Sequence, residues 1–148
     1  MKANVFNTPF ENMLRILLLT DTINVPMNID RLAALDFICI YGKKCQILDR
    51  NLHGDNEFGF SEFTTKRERI TEAVKIAVKN GLLKVEMSIN GFTYSINDRG
   101  KKVVDGVHSP YACAYVAGAK IVNCRFDGCS DEEILQYISD LSTGERRS

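Results

Sequence analysis

Apolar positions follow two different periods within residues 64–96, and the switch between them is the clearest structural signal in the chain. Ile70, Ala73, Val74, Ala77 and Val78 recur at i, i+3, i+4, i+7 and i+8, the spacing of one helical face. From Leu83 the apolar residues alternate: Leu83, Val85, Met87 and Ile89, then Phe92, Tyr94 and Ile96. Thr65 with Glu68 predicts a capping box, so the helix is expected over about 66–80. Asn80 and Gly81 predict its end, because Gly readily takes the left-handed conformation that closes a helix. Asn90 and Gly91 between the alternating runs predict a hairpin turn whose two central residues need positive φ. A helix running directly into a two-stranded hairpin is the core of a winged helix.

The flanking pattern predicts more helices. Thr8, Pro9 and Glu11 mark a helix start, with the helix running to about residue 22. That helix is apolar nearly all round, so it is either a central core helix or partly a subunit interface. Residues 23–27 form a connector with room for a short strand. Asn28 caps a second helix, about 29–41, closed by Gly42. Asp36 sits on its apolar face. Two readings are open for it: a carboxylate reaching a backbone amide or an arginine, or a buried functional acid. Residues 43–64 are the least regular, with a short strand expected at 45–48 and a turn at Gly54, Asp55 and Asn56. An ordinary helix-turn-helix has only a few residues here, so this insertion weighs against a simple DNA reader. Asn97 caps a helix over about 98–107, and Ser109 with Pro110 opens another to about 123. Its small residues Ala112, Ala114, Ala117, Gly118 and Ala119 predict close helix packing. Ser130 with Glu133 opens a last helix to about 141.

The fold expected is therefore mainly α with a small β-hairpin (α+β), a winged helix-turn-helix with additional C-terminal helices. Residues 1–7 are a lead, 8–141 a single domain, and 142–148 a disordered tail.

Charge changes this picture only locally. Nineteen basic and nineteen acidic residues cancel, which argues mildly against a dedicated nucleic-acid binder. Residues 66–84 nevertheless hold six basic and two acidic residues. The solvent face of the third helix is read as carrying Lys66, Arg67, Arg69, Lys75 and Lys79. Three readings are open for it: a solvated surface, docking to a protein partner, or contact with nucleic-acid phosphates.

Candidate chemistry is sparse. Five cysteines, an odd number without a CxxC pair, and a polar N-terminus are read as reduced thiols in a cytoplasmic protein. No apolar run approaches a membrane span. His53 and His108 stand apart from any cysteine pair, so neither a metal site nor a nucleophile–base pair is expected. No glycine-rich phosphate loop is present. The chain reads as non-catalytic and without a cofactor, though an enzyme whose site has no sequence signature is a third class to test.

Four segments occur in the order and spacing of one known group: NTPFENMLRILLLTD, INVPMNIDRLAALDFICIYG, KRERITEAVKIAVKNGLL and FTYSINDRGKKVVDGVHSPYACAYVAGAKIV. Over residues 7–122 the chain resembles the small middle component of bacterial three-component ABC-ATPase conflict systems, the group that includes Lamassu-type antiphage defence. The SPYA stretch at 109–112 is its most distinctive piece, and the last helix has no counterpart in the resemblance. The resemblance implies a winged-helix adaptor that bridges an SMC-like or Rad50-like ATPase and a nuclease-type effector, with at most auxiliary, non-specific DNA contact. The alternative is a dimeric winged-helix transcriptional regulator that binds DNA and pairs through its first and fifth helices.

Overall fold

The computed structural model describes residues 8–43, 45–49, 51–52, 63–89 and 91–147, with the backbone alone for 142–147. Among them lie six helices and one antiparallel hairpin: α1 (Pro9–Thr22), α2 (Ile29–Ile40), α3 (Phe63–Lys79), β1 (Leu83–Ser88), β2 (Gly91–Ile96), α4 (Asp98–Asp105), α5 (Pro110–Arg125) and α6 (Asp131–Arg147).

Most of the helix starts are set by local capping. Thr8, Asn28, Asn97 and Ser109 each accept the backbone amide three residues on, at 3.1, 2.8, 2.9 and 3.1 Å. At α6 the box is reciprocal. Ser130 Oγ accepts the Glu133 amide at 3.1 Å, and the Ser130 amide donates to Glu133 Oε1 at 2.7 Å.

The helix α1 is the central core helix. It packs against α2, α3, α4, α5 and β2, and Ile16, Leu17, Leu18 and Leu19 are buried. Each such side chain contributes about 1.5–3 kcal/mol when fully buried. The helices α2 and α3 pack on one another, α5 packs on α1 and α2, and α6 on α2. In α5, Ala112, Gly118 and Ala119 face inward while Ala117 is exposed. Asn28 and Arg31 hold the start of α6 through Asp131, at 2.7 and 3.0 Å.

One polar group crosses this core. Arg15 of α1 is paired with Asp36 of α2 through Nε–Oδ1 (3.0 Å) and Nη2–Oδ2 (3.2 Å). Its Nη2 also donates to Asn12 Oδ1 at 2.8 Å, and Tyr115 of α5 donates to Asp36 Oδ1 at 2.6 Å. Asp36 thus reaches an arginine, the first of its two expected readings.

The hairpin is anchored at its base. Leu83 faces Ile96, Val85 faces Tyr94 and Met87 faces Phe92. Met27, in the connector after α1, bridges Tyr94 through paired backbone bonds of 3.0 and 2.8 Å. Gly100 lets α4 approach this base, since a Cβ there would stand 2.3 Å from the Leu82 carbonyl oxygen.

Several expectations are corrected. The helix α3 begins at Phe63, so the Thr65–Glu68 box is not its start. Phe63 packs edge-on against Phe37 at 5.3 Å, and that contact draws the first turn into the fold. Its end is as expected: Gly81, at φ 74°, donates to Val78 and Leu82 donates to Ala77, a Schellman closure. The hairpin connection lies between Ser88 and Gly91, one residue earlier than expected. Gly91 still takes positive φ (106°), but as the first residue of β2. Residues 45–48 form turns rather than a strand, because the Ile47 and Leu48 amides both return to the Gly42 carbonyl. The helix α6 continues to Arg147, past the expected end at 141. No proline interrupts residues 141–147, and one glycine costs a helix only about 1 kcal/mol. The lead at 1–7, His53 and the turn at 54–56 lie outside the described residues.

Removing one partner of a buried ion pair leaves the other charge uncompensated. Asp36→Ala is therefore expected to destabilise the protein by about 3–5 kcal/mol in urea unfolding. The double change Arg15→Met with Asp36→Leu should recover most of that loss. Equal losses in the two variants would show that the pair itself, and not the stranded charge, stabilises the fold.

Candidate interaction surface

The hairpin presents one apolar face, and only its base is covered. Leu83 is buried, but Val85, Met87 and Phe92 are 41%, 73% and 52% exposed, and Ile89 at the tip is 99% exposed. The opposite face is ordinary: Lys84 pairs with Glu86 at 3.3 Å, across from Ser95 and Thr93. Scattered exposed apolar residues are normal, whereas a contiguous set beside a groove is a candidate contact surface.

Such a groove is present. Val74, Lys75, Val78 and Lys79 of α3 and Val85, Phe92 and Tyr94 of the hairpin line a cavity of about 280 Å³. Val74 is buried and forms its floor. Lys75 and Lys79, one helical turn apart, stand on its helix side.

The five basic residues of the sequence do not share one face. Lys66 is only 5% exposed, with its Nζ 5.6 Å from the centre of the Tyr41 ring. It therefore does not belong to the solvent face. Arg67 is half-buried and pairs with Asp30 of α2 at 2.7 Å. Arg69, Lys75 and Lys79 are exposed. Lys75 lies 3.9 Å from Glu72, a pair 70% exposed on both sides, so it holds the lysine only weakly. At about 100° per residue, Lys75 and Lys79 share their side of the helix with Glu68 and Glu72, while Arg69 points elsewhere. The basic stretch is thus two lysines on a groove, one separate arginine and two internal contacts.

The buried Arg15–Asp36–Tyr115 group is chemically satisfied. No buried side-chain nitrogen or oxygen among the described residues lacks a partner. Burial alone would lower the Arg15 pKa, but Asp36 holds it above its ordinary value. Burial and the Asp36 charge push the Tyr115 hydroxyl well above 10. Burial pushes Tyr111 up to about 12, with Arg15 working against it. A smaller cavity of about 120 Å³ between α1 and the start of α5 is lined in part by Arg15 and Tyr111. Cys39 and Cys45 are buried, Cys113 and Cys124 exposed, Cys129 half-buried, and none of the five is in a disulfide. Among the described residues no group of three His, Cys, Asp or Glu could hold a metal, and no helix is long and apolar enough to cross a membrane.

A family model described as "ABC-three component (ABC-3C) system Middle Component 2" matches residues 5–145. The match extends into α6, which the sequence resemblance did not reach. No curated protein and no solved structure matches the chain.

Two outcomes follow from this geometry. Lys66→Glu places a carboxylate in the core beside an aromatic face and is expected to cost about 1–3 kcal/mol in urea unfolding. Lys79→Glu should stay within about 0.5 kcal/mol of the parent. Equal effects would mean that Lys66 lies in solvent. Alkaline pH supplies the second outcome. Tyr111 and Tyr115 have raised pKa values in the folded state, so unfolding releases protons once pH exceeds about 10, the unfolded tyrosine value. Their stabilising contribution is whole below pH 10; that of Tyr111 is lost as pH rises to about 12, and Tyr115 acts in the same direction. The urea midpoint should fall between pH 9 and 11.5, and fall less in Tyr111→Phe. An unchanged midpoint would mean that these hydroxyls are open to water.

Proposed function

This chain belongs to the ABC-three component system Middle Component 2 family, and on that premise we propose that it is a non-catalytic adaptor of a bacterial antiphage or anti-plasmid defence complex of Lamassu type. In this reading it links an SMC-like or Rad50-like ATPase to a nuclease-type effector. Its scaffold is a winged helix: α1, the Met27 bridge, α2, α3 and the hairpin follow one another in that order, with α4, α5 and α6 as a C-terminal extension.

The observation that carries the adaptor reading is the apolar character of the space between α3 and the hairpin. A helix that reads DNA presents polar and basic side chains to base edges and phosphates. Here Val74, Val78, Val85 and Phe92 line the space between helix and wing, which suits a protein surface. Lys75 and Lys79 are accompanied by Glu68 and Glu72, so we assign DNA at most an auxiliary, non-specific role. The non-catalytic reading is supported by the buried acid Asp36, whose oxygens are engaged by Arg15 and Tyr115. The position of α1, enclosed by five other elements, argues against pairing of two copies through it.

Co-expression with the ATPase and effector encoded beside it should give one complex on size exclusion, with this chain required for the other two to co-elute. The protein alone should leave a short DNA duplex unshifted at physiological salt. If it shifts duplex DNA alone, and Lys75→Glu with Lys79→Glu abolishes the shift, the chain is a DNA-binding regulator. Recovery of the protein alone, with no ATPase encoded nearby, would contradict the adaptor.

A further inference from the structure

We propose that the groove between α3 and the hairpin seats an amphipathic helix of another component of the complex, an apolar stripe flanked by carboxylates. This deepens the adaptor reading and rests on it.

The apolar half of the match is set by the hairpin register. One face carries Leu83, Val85 and Met87 opposite Ile96, Tyr94 and Phe92. The base of that face is packed inside the protein, and the same face continues outward into the groove with Val85 and Phe92 on its wall and Met87 exposed beside them. The groove is therefore an extension of the core surface rather than a separate depression. An occupant laid there continues a packing surface that already exists.

The charged half identifies the occupant: Lys75 and Lys79 line the groove, whereas Glu68 and Glu72, on the same side of α3, do not. Lys75 and Lys79 stand at i and i+4 along one side, so their side chains repeat at about 6 Å along the α3 axis. Carboxylates at i and i+4 on a helix lying along α3 have the same repeat. Neither lysine is tightly held: the Lys75 contact with Glu72 is 3.9 Å and exposed, and no carboxylate partner of Lys79 is found among the described residues. An extended peptide would instead pair with the free edge of β1, where it would meet the Lys84–Glu86 pair rather than the two lysines. Nucleic acid would find phosphate contacts at the lysines but no use for Val78, Val85 and Phe92. A helix with apolar anchors and acidic flanks satisfies both halves together.

The test uses the full chain in its three-component complex, with two variants that leave the core intact. Lys75→Glu with Lys79→Glu changes only exposed side chains, and Phe92→Ser removes a half-exposed anchor. The charge pair should weaken binding of this chain to the rest of the complex about tenfold, and Phe92→Ser about thirtyfold or more. Circular dichroism should be unchanged in both. A photo-crosslinking residue at Met87 should attach to a helical segment of a partner that carries Asp or Glu at i and i+4. Reversing those carboxylates to lysine should restore binding of the Lys75→Glu, Lys79→Glu variant. If the complex forms and both variants bind like the parent, the groove inference is overturned and the adaptor reading stands. If no complex forms, both fall. Crosslinking to DNA, to a second copy, within the same chain or to an extended segment likewise overturns the inference.

Discussion

The ion pair between Arg15 and Asp36 is the constraint on which the rest of the structure depends. Both groups lie on the buried faces of their helices among apolar side chains, and both are about 2% exposed. Two charges in such surroundings are tolerable only with close geometry and with their remaining hydrogen-bonding capacity engaged. Asn12 takes one arginine bond and Tyr115 gives one to the carboxylate. These partners come from α1, α2 and α5, so three helices must meet in one register for the group to be satisfied. Apolar packing alone would allow neighbouring registers at modest cost. The charges penalise every arrangement but one.

That register positions the surface. The helix α3 packs on α1 and α2, Met27 bridges the hairpin at Tyr94, and Gly100 of α4 lies against Leu82 and Ile96 at its base. Lys101 of α4 reaches Asp21 of α1 at 2.8 Å, tying the same corner. The groove walls therefore stand on a packed base, whereas Met87, Ile89 and Phe92 in the outer half of the hairpin are exposed. An exposed apolar wall on a packed base suits a protein held between partners. It also needs little ordering on binding, which lowers the entropic cost of association.

How much of this could be read from the chain depends on how local each signal is. Helix caps were legible because an oxygen side chain and an amide three residues on decide them; Thr8, Asn28, Asn97, Ser109 and Ser130 all behave so. Gly81 was legible for the same reason. The start of α3 was not, because Phe63 is placed by Phe37, a residue far away in sequence. The hairpin connection slipped by one residue, since a glycine with positive φ can serve either inside a turn or at the first position of the returning strand. Lys66 is the instructive case. It lies at i, i+4, i+7 and i+11 with Ile70, Ala73 and Ala77, so the period placed it inward, and only its charge suggested otherwise. A lysine stem can bury itself when its ammonium finds an aromatic face. Arg15 also had a signal: it is the one cation of α1 and stands among apolar residues, as Asp36 stands on the apolar face of α2. Alternation in the hairpin marked an apolar face, but not whether the protein itself covers that face.

In the proposed assembly this chain meets its partners through α3 and the hairpin, and hydrogen–deuterium exchange of the protein alone and within its complex reports on that contact. Protection gained on assembly should concentrate in residues 74–79 and 85–94, with the core of α1 and α2 unchanged. Protection confined to α5 and α6, with the hairpin exchanging as freely in the complex as alone, would contradict it.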